Sequence, residues 1–205
     1  AAQGARMNGL AHVARLDAAL DESPAAGGAA NDLDPRRAAP AHPPAASAAW
    51  RQWPGEIDWR VCRFGELSPI ELARIYRARQ QVFAIEQQCI YLDADEYDEV
   101  SHHFAAWSPE HAVPLAYARL LNPGTKYSEP SIGRVITTAP ARGLGLGREL
   151  VRRVIAHSML MHRGMAIRIS AQERLARFYA DFGFVAVGEP YLEDGIAHLE
   201  MLHPA

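Results

Sequence analysis

Arg142-Gly143-Leu144-Gly145-Leu146-Gly147 places an arginine before three glycines at alternate positions. Ahead of it Ser131 to Thr138 reads as a strand; after it Leu146, Leu150, Val151, Val154 and Ile155 recur at helical spacing. A chain that stops as a strand, turns on glycine and restarts as a helix leaves unpaired N–H groups at the positive end of the helix dipole. That geometry binds phosphate. Glycine lets the backbone approach a diphosphate with no Cβ in the way, and the Arg142 guanidinium can fork onto phosphate oxygens. A nucleotide P-loop requires Lys and then Ser or Thr around the last glycine, where this chain has Arg148-Glu149. A dinucleotide fingerprint requires G-x-G-x-x-G after the first strand of a βαβ unit, whereas G-x-G-x-G stands here late in an antiparallel pattern. The remaining match is R-x-x-G-x-G, in Arg142, Gly145 and Gly147. On its own, a turn whose glycines serve only chain reversal competes with the phosphate reading.

The elements that position this turn occupy residues 56–205. Trp59 to Phe64 alternates as a half-buried strand, and Ser68-Pro69-Ile70-Glu71 supplies an N-cap, a first-turn proline and a capping-box Glu. The spacing predicts a helix from Pro69 to Ile85 with a stripe of Leu72, Ile75, Tyr76, Val82 and Phe83. An acidic loop, Glu86 to Ser101, leads to strands at His102 to Trp107 and Pro114 to Leu121, read as an antiparallel hairpin. The helix after the glycine turn stops near Gly164. Ala166 to Ala171 forms a strand, Glu173 to Phe182 a helix capped by Gly183, and Phe184 to Val187 with Ile196 to Leu202 close the sheet. Fold class is thus α/β (α+β): a mixed, mostly antiparallel sheet flanked by helices, in a single domain. Residues 1–55, rich in Ala, Pro and Gly, read as a flexible tail, with a short helix possible over Gly9 to Glu22.

Among the 205 residues, 49% are apolar and 22% charged, enough for a core. A net charge of -3 gives no field to gather nucleic-acid phosphates. Two cysteines, Cys62 and Cys89, far apart, indicate neither a disulfide framework nor a zinc site. No apolar run approaches a membrane span and no secretory signal is visible, so a cytoplasmic protein is expected, with neither nucleic acid nor membrane as partner.

With these motifs in place, the chain resembles the GNAT superfamily of N-acetyltransferases, whose motif A is a strand, an arginine-glycine turn and a helix that cradle coenzyme A pyrophosphate. Phe178-Tyr179-Ala180-Asp181-Phe182-Gly183-Phe184 is similar to motif B at the usual spacing. The stretch Val82 to Asp95, the Ser170-Ala171-Gln172 strand end and Tyr191 to His198 resemble the ElaA-like branch. The resemblance covers about Arg60 to His203. One departure concerns the proline usually found three residues before the arginine, which sits at Pro140, two before Arg142.

The resemblance implies acetyl-coenzyme A as cosubstrate and direct attack by a primary amine of a small-molecule or peptide acceptor. It places main-chain groups of Val135, Ile136 and Thr137 against the acetyl and pantetheine arm. Arg142, Gly143, Leu144, Gly145, Leu146, Gly147 and Arg148 fall at the pyrophosphate. Tyr179 is the implied proton donor to the departing thiolate, the alternative being a core tyrosine with a satisfied hydroxyl. Gln172 stands where relatives often carry an asparagine that touches coenzyme A, or merely satisfies the sheet edge. The general base stays open among Glu86, Asp93, Asp95, Asp98, His102, Glu193, Asp194 and His198, and a water chain to solvent would serve equally well. Glu86 and His102 are favoured, since histidine titrates in the useful range and burial tunes glutamate upward. The acidic residues around the cleft suggest a cationic amine acceptor. Cys89 has no neighbour in sequence that would lower its pKa, so covalent catalysis is set aside. Asp98 stands where a calcium loop needs glycine, and no metal is expected. Monomer and homodimer both remain open. The rival readings are a non-catalytic acyl-coenzyme A sensor or interaction module and, more remotely, a metal-dependent hydrolase.

Overall fold

The computed structural model describes residue 50 and residues 53–205. The possible helix over Gly9 to Glu22, and nearly all of the expected tail, lie outside the described residues. Trp50 and Trp53 pack against the main core, with Trp50 edge-on to Trp59 at 6.1 Å.

Eight strands form one sheet: β1 (Asp58–Arg63), β2 (His102–Trp107), β3 (Ala116–Leu121), β4 (Ser131–Thr137), β5 (Ile167–Gln172), β6 (Val185–Ala186), β7 (Tyr191–Glu193) and β8 (Ile196–His203). Their order is β1-β2-β3-β4-β5-β8-β6, with β7 also on β8. Every pairing is antiparallel except β4 with β5. Helix α1 (Pro69–Gln80) covers one face and α2 (Leu146–Met161) the other; α3 (Ala176–Ala180) is a single short piece. Strand alternation divides the core accordingly. Phe104, Ala106 and Ala118 meet Leu146, Leu150 and Val154 on the α2 side, while Ala105, Tyr117 and Ile136 meet Ile75, Ala78 and Val82 on the α1 side.

Helix α1 starts where its capping box predicts: Ser68 Oγ accepts from the Glu71 amide at 3.2 Å and Glu71 accepts from the Ser68 amide at 2.8 Å. Its α-helical turns end earlier than expected, at Gln80, and the chain widens into a π-helical turn over Gln81–Glu86. Such a turn inserts an extra residue and re-aims the chain beyond it. Another departure is α3, which is preceded by a 3-10 turn over Glu173–Leu175 and is shorter than the helix read from Glu173 to Phe182. Strand β7 was not expected at all. Asp194 and Gly195, at φ 51° and 79°, form the tight turn that folds β7 back on β8; an Asp-Gly pair between apolar runs is the sequence signal for it. Among the described residues no helix is long and apolar enough to cross a membrane.

Candidate active site

The parallel pair at the centre of the sheet is joined only at its beginning. Ser131 of β4 pairs with Arg168 of β5 and no later residues do. Arg168 fastens that closed end by bonding Glu129 at 2.8 Å and Glu200 at 2.7 Å. Beyond it the strands part, because β4 carries a bulge. Tyr117 pairs with Ile136 but Arg119 pairs with Gly133, so β4 holds one extra residue, and Arg134 sits there at φ 54°. From Ile132 onward the β5-facing edge of β4 has no ladder partner among the described residues. The result is a cleft of about 230 Å³ whose walls include Val135, Ala171, Gln172 and Tyr179.

At the far end of β4 the chain enters the glycine turn. Gly143 and Gly145 have φ of 73° and 76°, a region closed to most side chains, and open space lies where a Cβ on Gly143 would project. Gly145 is the N-cap of α2, and no side chain caps that end. The first-turn amides of a 16-residue helix are thus left to an outside acceptor. The two arginines are placed otherwise than the sequence suggests. Arg142 turns inward: Nε and Nη2 donate to the Thr137 carbonyl, both at 3.2 Å, and Nη2 pairs with Glu86, which the π-helical turn delivers. Arg148 pairs with Asp181 at 3.0 Å and lies over the Phe182 ring. Both guanidiniums are thus engaged, and the donors left open at the turn are main-chain amides.

Tyr179 projects into the cleft from α3, 6% exposed, and its hydroxyl makes no hydrogen bond within the described residues. Burial pushes the phenol well above its ordinary value, so it keeps its proton. Across the cleft Gln172 Nε2 donates to Gln87 Oε1 at 3.2 Å, bridging β5 to the end of the π-helical turn.

The groups that the sequence set around the cleft as candidate bases separate sharply. Asp93, Asp95 and Asp98 are held by Arg79, Arg119 and Arg134. Arg79 reaches Asp93 at 2.8 Å and Asp98 at 2.7 Å; Arg119 reaches Asp98 at 2.7 Å and also binds Asp95; Arg134 reaches Asp93 at 2.7 Å and Asp95 at 3.2 Å. Burial opposes the Asp98 charge, yet hydrogen bonds from Arg79 and Arg119 hold its carboxyl below the usual range. Three guanidiniums balance these three Asp charges, while Glu193 and Asp194 remain at the cleft. Glu86 is paired with Arg142. His102 lies away from the cleft: buried on the α2 side, its ring 5.5 Å from that of His157. Strand alternation explains this, because His102 shares a face with Phe104 and not with His103. Only Glu193, Asp194 and His198 of that set line the cleft. Cys89 lines it too, with its thiol pushed up by burial.

Sequence reading missed the three arginines. Arg79 is 0% exposed inside a helix and Arg119 is 4% exposed inside the strand Ala116–Leu121. A charged residue in an apolar strand, with an unmatched Asp-rich run nearby, was the available signal.

Residues 79–203 match the family described as Acetyltransferase (GNAT) domain. A UPF0039 protein of Synechocystis sp. is 43% identical over 147 residues, spanning 72% of this chain and 95% of that protein. Protein ElaA of Escherichia coli is 33% identical over 147 residues, 71% of this chain and 95% of its own length. Among solved structures, an acyl-CoA N-acyltransferase from Pseudomonas aeruginosa is similar with a TM-score of 0.68 at 37% identity, covering 72% of this chain and 99% of the other. The crystal structure of Escherichia coli ElaA gives 0.67 at 32%, with coverage of 72% and 99%. With its parted β4–β5 pair and uncapped glycine turn, the chain belongs to the GNAT acetyltransferase family, on its ElaA-like branch.

Proposed function

We propose that this protein transfers the acetyl group of acetyl-coenzyme A to a primary amine of a small-molecule or peptide acceptor, by direct attack with both substrates bound. The observation that carries the reading is the slot between β4 and β5, open along the unpaired edge of β4 and lined by a free tyrosine hydroxyl. The residues present fit the cosubstrate: glycines in left-handed backbone and the uncapped amides of α2 suit a diphosphate. The main chain at Val135, Ile136 and Thr137, on the β4 edge that β5 leaves unpaired, suits a pantetheine arm and a thioester carbonyl, and Val135 and Gln172 border the slot. Arg142 serves this site by holding the Thr137 carbonyl, which fixes the end of β4.

The thioester brings an activated acyl group, and the chain supplies orientation and protons. As the amine nitrogen bonds to the carbonyl carbon, the C–S bond breaks and the departing sulfur takes the proton of Tyr179. A phenol kept protonated by burial is suited to that donation. The experiment is a pair of measurements on the full chain. Calorimetry with acetyl-coenzyme A should give saturable binding, and Tyr179→Phe should slow transfer about 10²-fold with donor affinity retained. Unchanged turnover in that variant would take Tyr179 out of the reaction, and absence of donor binding would end the acyltransferase reading. A non-catalytic acyl-coenzyme A sensor would bind the donor and release no thiol with any amine.

A further inference from the structure

The parted strands create two sides to the reaction. Tyr179 and Ala171 belong to the core on the α2 face. Ser170, Gln172 and His198 alternate onto the opposite face, and all line the cleft. An amine entering from that second side meets the thioester from the face opposite Tyr179. The group waiting there matters, because an alkylamine is an ammonium at neutral pH and cannot attack until it loses a proton.

We infer that His198 is the general base of the reaction, acting through Nε2; this rests on the acetyl-transfer reading above. Nδ1 of His198 lies 2.9 Å from the Ile196 carbonyl, and a carbonyl only accepts, so Nδ1 carries the proton. That tautomer leaves the Nε2 lone pair free. The ring sits directly across the β8–β5 ladder from Gln172, the last residue of β5. Its other neighbour is Tyr191 on β7, with ring centroids 6.1 Å apart and planes 31° from parallel, which fixes the imidazole from behind.

The charged and titratable groups facing His198 are few. From β7 come Tyr191, whose hydroxyl is 2.6 Å from Ser170 Oγ, and Glu193, which accepts from that Oγ at 3.1 Å. Asp194 stands in the β7–β8 turn and Cys89 on the facing loop. Glu200, two residues along β8, is bound to Arg168. Glu193 and Asp194 are exposed, and the half-buried His198 is the one of the three set in the ladder beside the slot.

Proton balance closes with these groups. Nε2 takes a proton from the acceptor ammonium and passes it to water. The freed amine forms the C–N bond, the C–S bond breaks, and the nitrogen gives its next proton to Nε2. Sulfur takes the Tyr179 proton, which water restores. One proton is released for each amide and thiol made.

The test keeps the full chain and replaces His198 by Asn, whose side-chain amide can still donate to the Ile196 carbonyl but offers no base. Thiol release is monitored with spermidine, benzylamine and an alanyl peptide as acceptors, and the fastest is carried into pH profiles. His198→Asn should lower kcat about 10²-fold while the KM for acetyl-coenzyme A stays within about twofold. The acidic limb of kcat/KM should move up to the ionisation of the acceptor amine itself, added imidazole should restore part of the rate, and the melting curve should not move. An acidic limb unmoved in the variant overturns the role of His198 and leaves acetyl transfer standing. A wild-type chain that binds acetyl-coenzyme A but acetylates none of the three amines overturns both.

Discussion

Asp98 shows how one side chain organises a buried ion cluster. It is 1% exposed and lies 2.7 Å from both Arg79 and Arg119. A buried ion cluster adds little net stability over an apolar one, but removing a single member strands the rest without compensation. Asp98→Ala should therefore destabilise the fold by about 3–5 kcal/mol, read as the midpoint shift in urea unfolding. A loss within the range of ordinary surface substitutions would show that the guanidiniums find other partners. Asp98 is the carboxylate that Arg79 and Arg119 share, each having a second partner in Asp93 or Asp95.

At the scale of elements, the bulge in β4 is what opens the slot, and it is held from outside the strand. Arg134 occupies left-handed backbone, which costs a non-glycine residue about 1–2 kcal/mol. Its guanidinium bonds Asp93 and Asp95 and lies 5.3 Å from the Tyr91 ring centre. Backbone and side chain are separable. Arg134→Gly keeps the positive φ accessible and loses the clamp, whereas Arg134→Val loses both and is β-branched, the type least tolerant of that region. The KM for acetyl-coenzyme A should rise in both, and more for Val than for Gly. Equal effects would mean that the ion pairs alone shape the bulge. The glycine turn is open to a parallel test, since Gly145→Ala puts a Cβ at φ 76°. It should cost about 1–2 kcal/mol of stability and weaken donor binding in calorimetry.

For the whole molecule, the histidines on the two faces of β2 and on α2 set the behaviour in acid. Burial lowers the pKa of His102, His103 and His157 from an ordinary 6.5, and proximity to His157 lowers His102 further. A group whose folded pKa is depressed contributes stability in full above its unfolded value, and this is lost as pH falls through the folded pKa. The melting temperature should thus begin to fall below about pH 6.5, ahead of the carboxylate transitions. Asp98, Glu71 and Glu149 are also held below their ordinary values and lose their contribution at still lower pH. In His102→Leu/His157→Phe the first, shallower decline should shrink to the part that His103 contributes, while the second remains. A wild-type profile flat down to pH 5 would show that these rings protonate in place.

Much of this was legible in the chain alone. Local signals sufficed for the capping box at Ser68, the strands from β2 to β5, the glycine turn and the start of α2, because caps, alternation and glycine conformation act over a few residues. The motifs sufficed for the family. What only the tertiary structure decided are the long-range pairings. Arg142 turns to Glu86, 56 residues away. The acidic run closes on Arg79, Arg119 and Arg134, and His102 faces α2 instead of the cleft. A sequence displays which groups carry charge, but the partner of each charge and the face of the sheet it occupies depend on register and bulges. One extra residue in β4 or one wide turn after α1 redirects every side chain beyond it.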